Sequence, residues 1–68
     1  MSQREISFNG ELKLVNSSTI SELLAEFELA GKRVAVELNR EIVSRNLYDG
    51  TTLNAGDQVE IVHFVGGG

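Results

Sequence analysis

The 68-residue chain has no cysteine, no proline and no tryptophan, and a single histidine, His63. The lack of cysteine excludes disulfides, thiolate-held zinc and a cysteine nucleophile. One histidine cannot make a His-rich metal site, and no other residue cluster suggests metal ligation. No apolar run approaches the ~20 residues needed to span a bilayer. The segment Met1-Ser2-Gln3-Arg4-Glu5 lacks the apolar stretch of a signal peptide, so a cytoplasmic protein is expected. Basic residues are also scarce, 6 against 10 acidic ones, for a net charge of −4. Arg4, Lys13, Lys32, Arg33, Arg40 and Arg45 are scattered, whereas phosphate backbones select clustered cations. Neither nucleic acid nor membrane is an expected partner.

What is present fits one small domain. Hydrophobic residues make up 41% of the chain. A chain this short buries only about 60% of the surface its unfolded form exposes, so the core is small. Ile6 and Phe8 alternate with Ser7, and Leu12 and Leu14 alternate with Lys13. Asn9-Gly10 lies between them. That pair suits a type I′ turn, in which both central residues need positive φ, so Arg4 to Val15 reads as a β-hairpin.

Thr19 and Glu22 have the spacing of a capping box. Ile20, Leu23, Leu24 and Phe27 follow as one apolar helical stripe. A helix is predicted from Ile20 to Ala30, with Gly31 ending it in the left-handed conformation. Strands are predicted over Arg33 to Asn39, Glu41 to Ser44 and Gln58 to Val65. Asn39-Arg40 and Asn54-Ala55-Gly56-Asp57 are turns, and Asn46 to Thr52 is irregular. One helix cannot bury itself, so it must cover one face of a mixed sheet of four to five strands. The ββαββ order is most economically an α+β β-grasp, with residues 1–65 as the domain and 66–68 as a glycine tail.

The last strand divides into two faces. Val59, Ile61, His63 and Val65 share one, and Gln58, Glu60, Val62 and Phe64 share the other. The polar pair Gln58 and Glu60 marks the second face as outward. Val62 and Phe64 then form an apolar patch beside the tail, unless a loop such as Asn46–Thr52 covers them. His63 falls on the core face and reads as a partly buried, hydrogen-bonded histidine rather than a catalytic one. No triad or paired-carboxylate spacing accompanies it, so no catalytic side chain is assigned.

Gly66-Gly67-Gly68 follows directly on this apolar strand. It opens no helix and precedes no Gly-Lys-Ser/Thr, so it is not a phosphate loop. Lacking Cβ atoms, the glycines can thread a narrow channel. From Val65 to Gly68 an extended tail reaches roughly 13–14 Å, at ~3.3–3.6 Å per residue. It would present the carboxylate of Gly68 inside another protein's active site.

The ending Val59-Glu60-Ile61-Val62-His63-Phe64-Val65-Gly66-Gly67-Gly68 resembles that of the ThiS family, the sulfur carriers of thiamin thiazole biosynthesis. Thr19-Ile20-Ser21-Glu22-Leu23-Leu24 is similar to the start of that family's helix. Val34-Ala35-Val36-Glu37-Leu38-Asn39, Glu41-Ile42-Val43 and Gly56-Asp57-Gln58-Val59-Glu60-Ile61 resemble its middle strands and its final turn and strand. Three glycines stand where the family pattern needs two.

The resemblance implies a ubiquitin-like β-grasp that is a co-substrate rather than an enzyme. A ThiF-like adenylyltransferase, using ATP and Mg²⁺, would activate the Gly68 carboxylate. A persulfide sulfur, from cysteine through a cysteine desulfurase, would displace AMP. The Gly68 thiocarboxylate would then supply sulfur to the thiazole synthase ThiG. Gly66 and Gly67 would thread the partner's channel, and the two-faced apolarity of the last strand makes Val62, Phe64 and Val65 the expected docking patch. A molybdopterin-type sulfur carrier, a ubiquitin-like protein modifier and a plain binding module remain as alternatives.

Overall fold

A computed structural model describes residues 3–63. Five strands and one α-helix form an α+β domain: β1 (Arg4–Phe8), β2 (Glu11–Val15), α1 (Ile20–Glu26), β3 (Val34–Leu38), β4 (Glu41–Val43) and β5 (Gln58–His63). A 3-10 helix, Arg45–Gly50, follows β4 where an irregular segment was predicted. The sheet order is β2-β1-β5-β3-β4. β1 and β5 are parallel neighbours at the centre, and the other pairings are antiparallel. This is the mixed sheet with one main helix that the sequence implied. No helix among the described residues is long and apolar enough to cross a membrane.

The hairpin turn forms as the sequence requires, with Asn9 at φ 52° and Gly10 at φ 85°. Its two-residue loop fixes the register Phe8↔Glu11, and with it every later pair. Ile6 therefore lies opposite Lys13, while Leu12 and Leu14 lie opposite Ser7 and Glu5. Those leucines face away from the helix and are 71% and 62% exposed. Val15, opposite Arg4, is the β2 residue that enters the core.

α1 starts where expected. The Thr19 hydroxyl accepts from Glu22 N–H at 3.2 Å, and the Glu22 carboxylate accepts from Ser18 N–H at 2.7 Å, one residue earlier than the usual reciprocal bond. Its end departs from the prediction. The helix stops at Glu26, with Phe27 as cap, because Glu28 takes the left-handed conformation at φ 62°. Glu28 N–H then bonds Ala25 C=O at 3.1 Å, and Leu29 N–H bonds Leu24 C=O at 2.6 Å. That pair of bonds is a Schellman closure, and it folds Leu29 back against the core. Gly31 serves a following turn instead of the helix end.

The core lies between α1 and one face of the sheet. Ile6, Val15, Ile20, Leu23, Leu24, Val34, Val36, Val59 and Ile61 are buried there together with Leu53. Leu53 belongs to no regular element. It is held by its N–H bond to Ser18 C=O at 2.9 Å, next to Ile20 N–H on Thr51 C=O at 3.0 Å. Phe27 meets Phe8 edge-to-face, with ring centroids 4.4 Å apart. A polar clamp secures the helix approach: Arg4 donates to Ser17 C=O at 3.0 Å, and the Ser17 hydroxyl bonds the Glu26 carboxylate.

Candidate functional site: the braced final strand and its exposed face

β5 occupies the sheet centre and leads toward the residues predicted to carry the chemistry. Its entry is the Asn54–Asp57 turn, where Gly56 sits at φ 89°, a backbone state that glycine adopts without strain. Gly56 N–H donates to Glu5 C=O at 2.8 Å. The two carboxylate oxygens of Asp57 are both used. One accepts from Asn54 N–H at 2.8 Å, and the other from the Asn39 side-chain amide at 3.1 Å.

Two asparagines then brace the strand from opposite sides. Asn39, at φ 52°, donates its N–H to Gln58 C=O at 2.7 Å, and its Oδ1 accepts from Gln58 N–H at 2.9 Å. Asn9 mirrors this across the sheet. Its N–H bonds Val59 C=O at 2.9 Å, and its Oδ1 accepts from Ile61 N–H at 2.7 Å. Each asparagine ends a neighbouring strand and uses its side chain to extend that strand's ladder by one step. The sequence marked Asn9 and Asn39 only as turn residues. A left-handed asparagine with a side-chain carbonyl to spare was the available signal.

The outward face of β5 carries Gln58, Glu60 and Val62, all exposed. Val62 is 54% exposed and opposite Ala35 on β3. The 3-10 helix does not cover it. The register brings Ile42 of β4, 75% exposed, to the row next to Ala35 and Val62. Val62 and Ile42 thus lie on the same face of the sheet but in different rows, with Glu37 between Ile42 and β5. In the row of Ile42, Glu60 and Glu37 face one another. They line a shallow depression of about 220 Å³ with Ser7, Gly10, Arg40 and Gln58. Like charges directly opposite one another cost stability in general, and here Arg40 lines the same depression.

His63 does not match its expected placement. It stands on the core face opposite buried Val34, yet it is exposed and its side chain makes no hydrogen bond among the described residues. The reason is geometric: β1 pairs with β5 only at Ser7↔Gln58 and Phe8↔Val59, so no strand neighbours His63 on that side. Phe64, Val65 and the tail Gly66, Gly67 and Gly68 lie outside the described residues, as does the predicted extension of the strand to Val65. Among the described residues no cluster of three or more His, Cys, Asp or Glu could hold a metal.

Topology, helix placement and the open face together define a ubiquitin-like β-grasp domain. A solved structure makes the class concrete: the crystal structure of the thiamine biosynthesis protein ThiS from Geobacter metallireducens superposes with a TM-score of 0.81 at 37% identity, covering 94% of this chain and 99% of that one. The model of the ThiS family matches residues 3–68, and the chain belongs to that family. It is 47% identical over 53 residues to the sulfur carrier protein ThiS of Bacillus subtilis, across 78% of this chain and 80% of that protein. It is also 43% identical over 65 residues to a thiazole synthase of Magnetococcus marinus, across 94% of this chain. The chain spans only 20% of that thiazole synthase's length.

Proposed function

We propose that this chain is the sulfur carrier of thiazole formation in thiamin biosynthesis, with the Gly68 carboxylate as its reactive group. The observation that carries the reading is family membership through Gly68, on a fold whose central strand runs toward that residue. The match to a thiazole synthase supports the thiazole branch. In this reading the domain is a cytoplasmic co-substrate and contributes no catalytic side chain.

A carboxylate resists attack until it gains a leaving group. In a ThiF-like adenylyltransferase, with Mg²⁺ bound alongside ATP, a Gly68 oxygen attacks the α-phosphate and pyrophosphate departs. A persulfide, formed with sulfur from a cysteine desulfurase, attacks the acyl carbon and AMP leaves. A thiol then cleaves the remaining S–S bond, giving the thiocarboxylate and a disulfide. The thiocarboxylate sulfur is the nucleophile passed to the thiazole synthase ThiG. Charge stabilisation would come from the partners, with preorganised donors for the acyl oxygen and Mg²⁺ supplied with ATP for the phosphates.

The carrier's share is presentation. Gly66 and Gly67 thread the partner's channel. Val62, with Phe64 and Val65, docks on the activating enzyme as an apolar anchor. Replacing Phe64 by Ala is expected to weaken that binding by about tenfold or more. The reading is tested by incubating the protein with ATP, Mg²⁺, the activating enzyme and a sulfur source, then weighing it intact. A gain equal to one oxygen exchanged for sulfur, absent when Gly68 is deleted, is expected. No gain in the wild-type chain would refute it.

A further inference from the structure

β5 has one unfinished edge. In its antiparallel ladder with β3, residues 58, 60 and 62 direct their backbone N–H and C=O toward β3, as the Asn39–Gln58 bonds show. Residues 57, 59, 61 and 63 direct theirs toward β1. On that side Ser7 N–H takes Asp57 C=O at 2.9 Å, Asn9 N–H takes Val59 C=O, and Asn9 Oδ1 takes Ile61 N–H. There the ladder stops, because the chain turns away at Asn9-Gly10. Ile61 C=O, His63 N–H and His63 C=O have no partner on that side among the described residues. These groups lie at the centre of the sheet order, not at its rim, and immediately before residues 64–68.

We infer that this vacant half-edge receives an extended segment of the thiazole synthase, which continues the line of β1 by hydrogen-bonding Ile61 C=O and His63 N–H and C=O. The inference rests on the proposed partnership with that enzyme. Three observations select this occupant. The free edge begins where β1 ends at the Asn9 turn and runs along β5, so an extended backbone continuing the line of β1 would meet it. It directly precedes the segment that must enter the enzyme, so pairing there fixes the direction in which residues 64–68 leave the domain. And a relative carries a stretch similar to this domain within one thiazole synthase chain. Main-chain pairing of this kind supplies affinity without demanding particular side chains.

The geometry offers a selective probe. His63 N–H points away from β3, so His63→Pro deletes the outward donor and leaves the β3 ladder intact, whereas His63→Ala keeps the donor and removes only the imidazole. Affinity for the thiazole synthase, measured with the full chain, is expected to fall roughly three- to tenfold for His63→Pro relative to His63→Ala. An amide-to-ester replacement of the Val62–His63 bond, made by chain ligation, should have the same effect without the ring. In the wild-type chain, hydrogen exchange at the His63 amide should be fast when free and should slow on adding the synthase.

If wild-type carrier fails to bind the synthase, the partnership and this inference fall together. If it binds, but His63→Pro matches His63→Ala and His63 exchange is unchanged, the inference alone falls. A His63 amide already protected in the free chain would place its N–H in an internal bond and overturn the inference as well. Should His63→Pro fail to fold, the ester and the exchange measurement decide.

Discussion

The two halves of β5 differ in what flanks them. From Gln58 to Ile61 the strand is flanked on both sides, by β3 and Asn39 on one and by β1 and Asn9 on the other. Its inward residues Val59 and Ile61 are buried. At Val62 and His63 only β3 remains, and both side chains are exposed. Adjacent segments of one strand thus serve opposite ends. The first half fixes the strand in the core, and the second leaves side chains and backbone open, as the proposed docking requires.

This contrast can be broken from either side. Ile61→Ala should be the most damaging change, costing about 2–4 kcal/mol through lost burial and a residual cavity. In a domain this small that is most of the available stability, so urea titration should find the variant largely unfolded. Asn9→Ala comes next, at about 1–2 kcal/mol, since it leaves Ile61 N–H without a partner and puts alanine in a left-handed turn. The urea midpoint should fall, and exchange at the Ile61 amide should rise toward that of His63. Asn39→Ala, acting on Gln58 from the other side, should cost a similar amount. Val62→Ala should move stability by less than about 0.5 kcal/mol, because more than half of the residue is already in water. Its expected effect is on binding to the activating enzyme, measured by titration calorimetry. A Val62→Ala cost like that of Ile61→Ala would erase the distinction between the halves.

Much of this architecture was legible in the residues. Asn9-Gly10 announced its turn, Thr19 with Glu22 announced the helix start, and strict alternation separated Val59 and Ile61 from Glu60 and Val62. These are local rules with strong periodic or steric causes. What escaped the sequence was decided by geometry at longer range. The helix ends at a glutamate in a glycine-like conformation, because the Schellman bonds and the return of Leu29 to the core outweigh the steric cost at Glu28. Leu53 is buried because the 51–53 segment pairs with residues 18–20, a contact that no local pattern encodes. His63 was assigned by alternation to the correct face but to the wrong burial, since alternation does not reveal where the neighbouring strand stops.

The apolar pattern of β2 misleads in an instructive way. Leu12 and Leu14 look like a buried pair, but the two-residue turn sets the register and turns them outward. Counting from Asn9-Gly10 already gives that answer, which makes turn chemistry a better guide than hydrophobicity in this hairpin. The two leucines lie on the strand at one rim of the sheet, and Ile42 lies on the strand at the other.

The separation of a rigid strand from a reactive end is tested most directly by adding one residue after Gly68 and measuring two properties of the same sample. Thermal unfolding should match that of the wild-type chain, while intact mass after incubation with ATP, Mg²⁺, the activating enzyme and a sulfur source should show no oxygen-for-sulfur exchange. A blocked chain that still acquires sulfur would contradict the assignment of the chemistry to the Gly68 carboxylate.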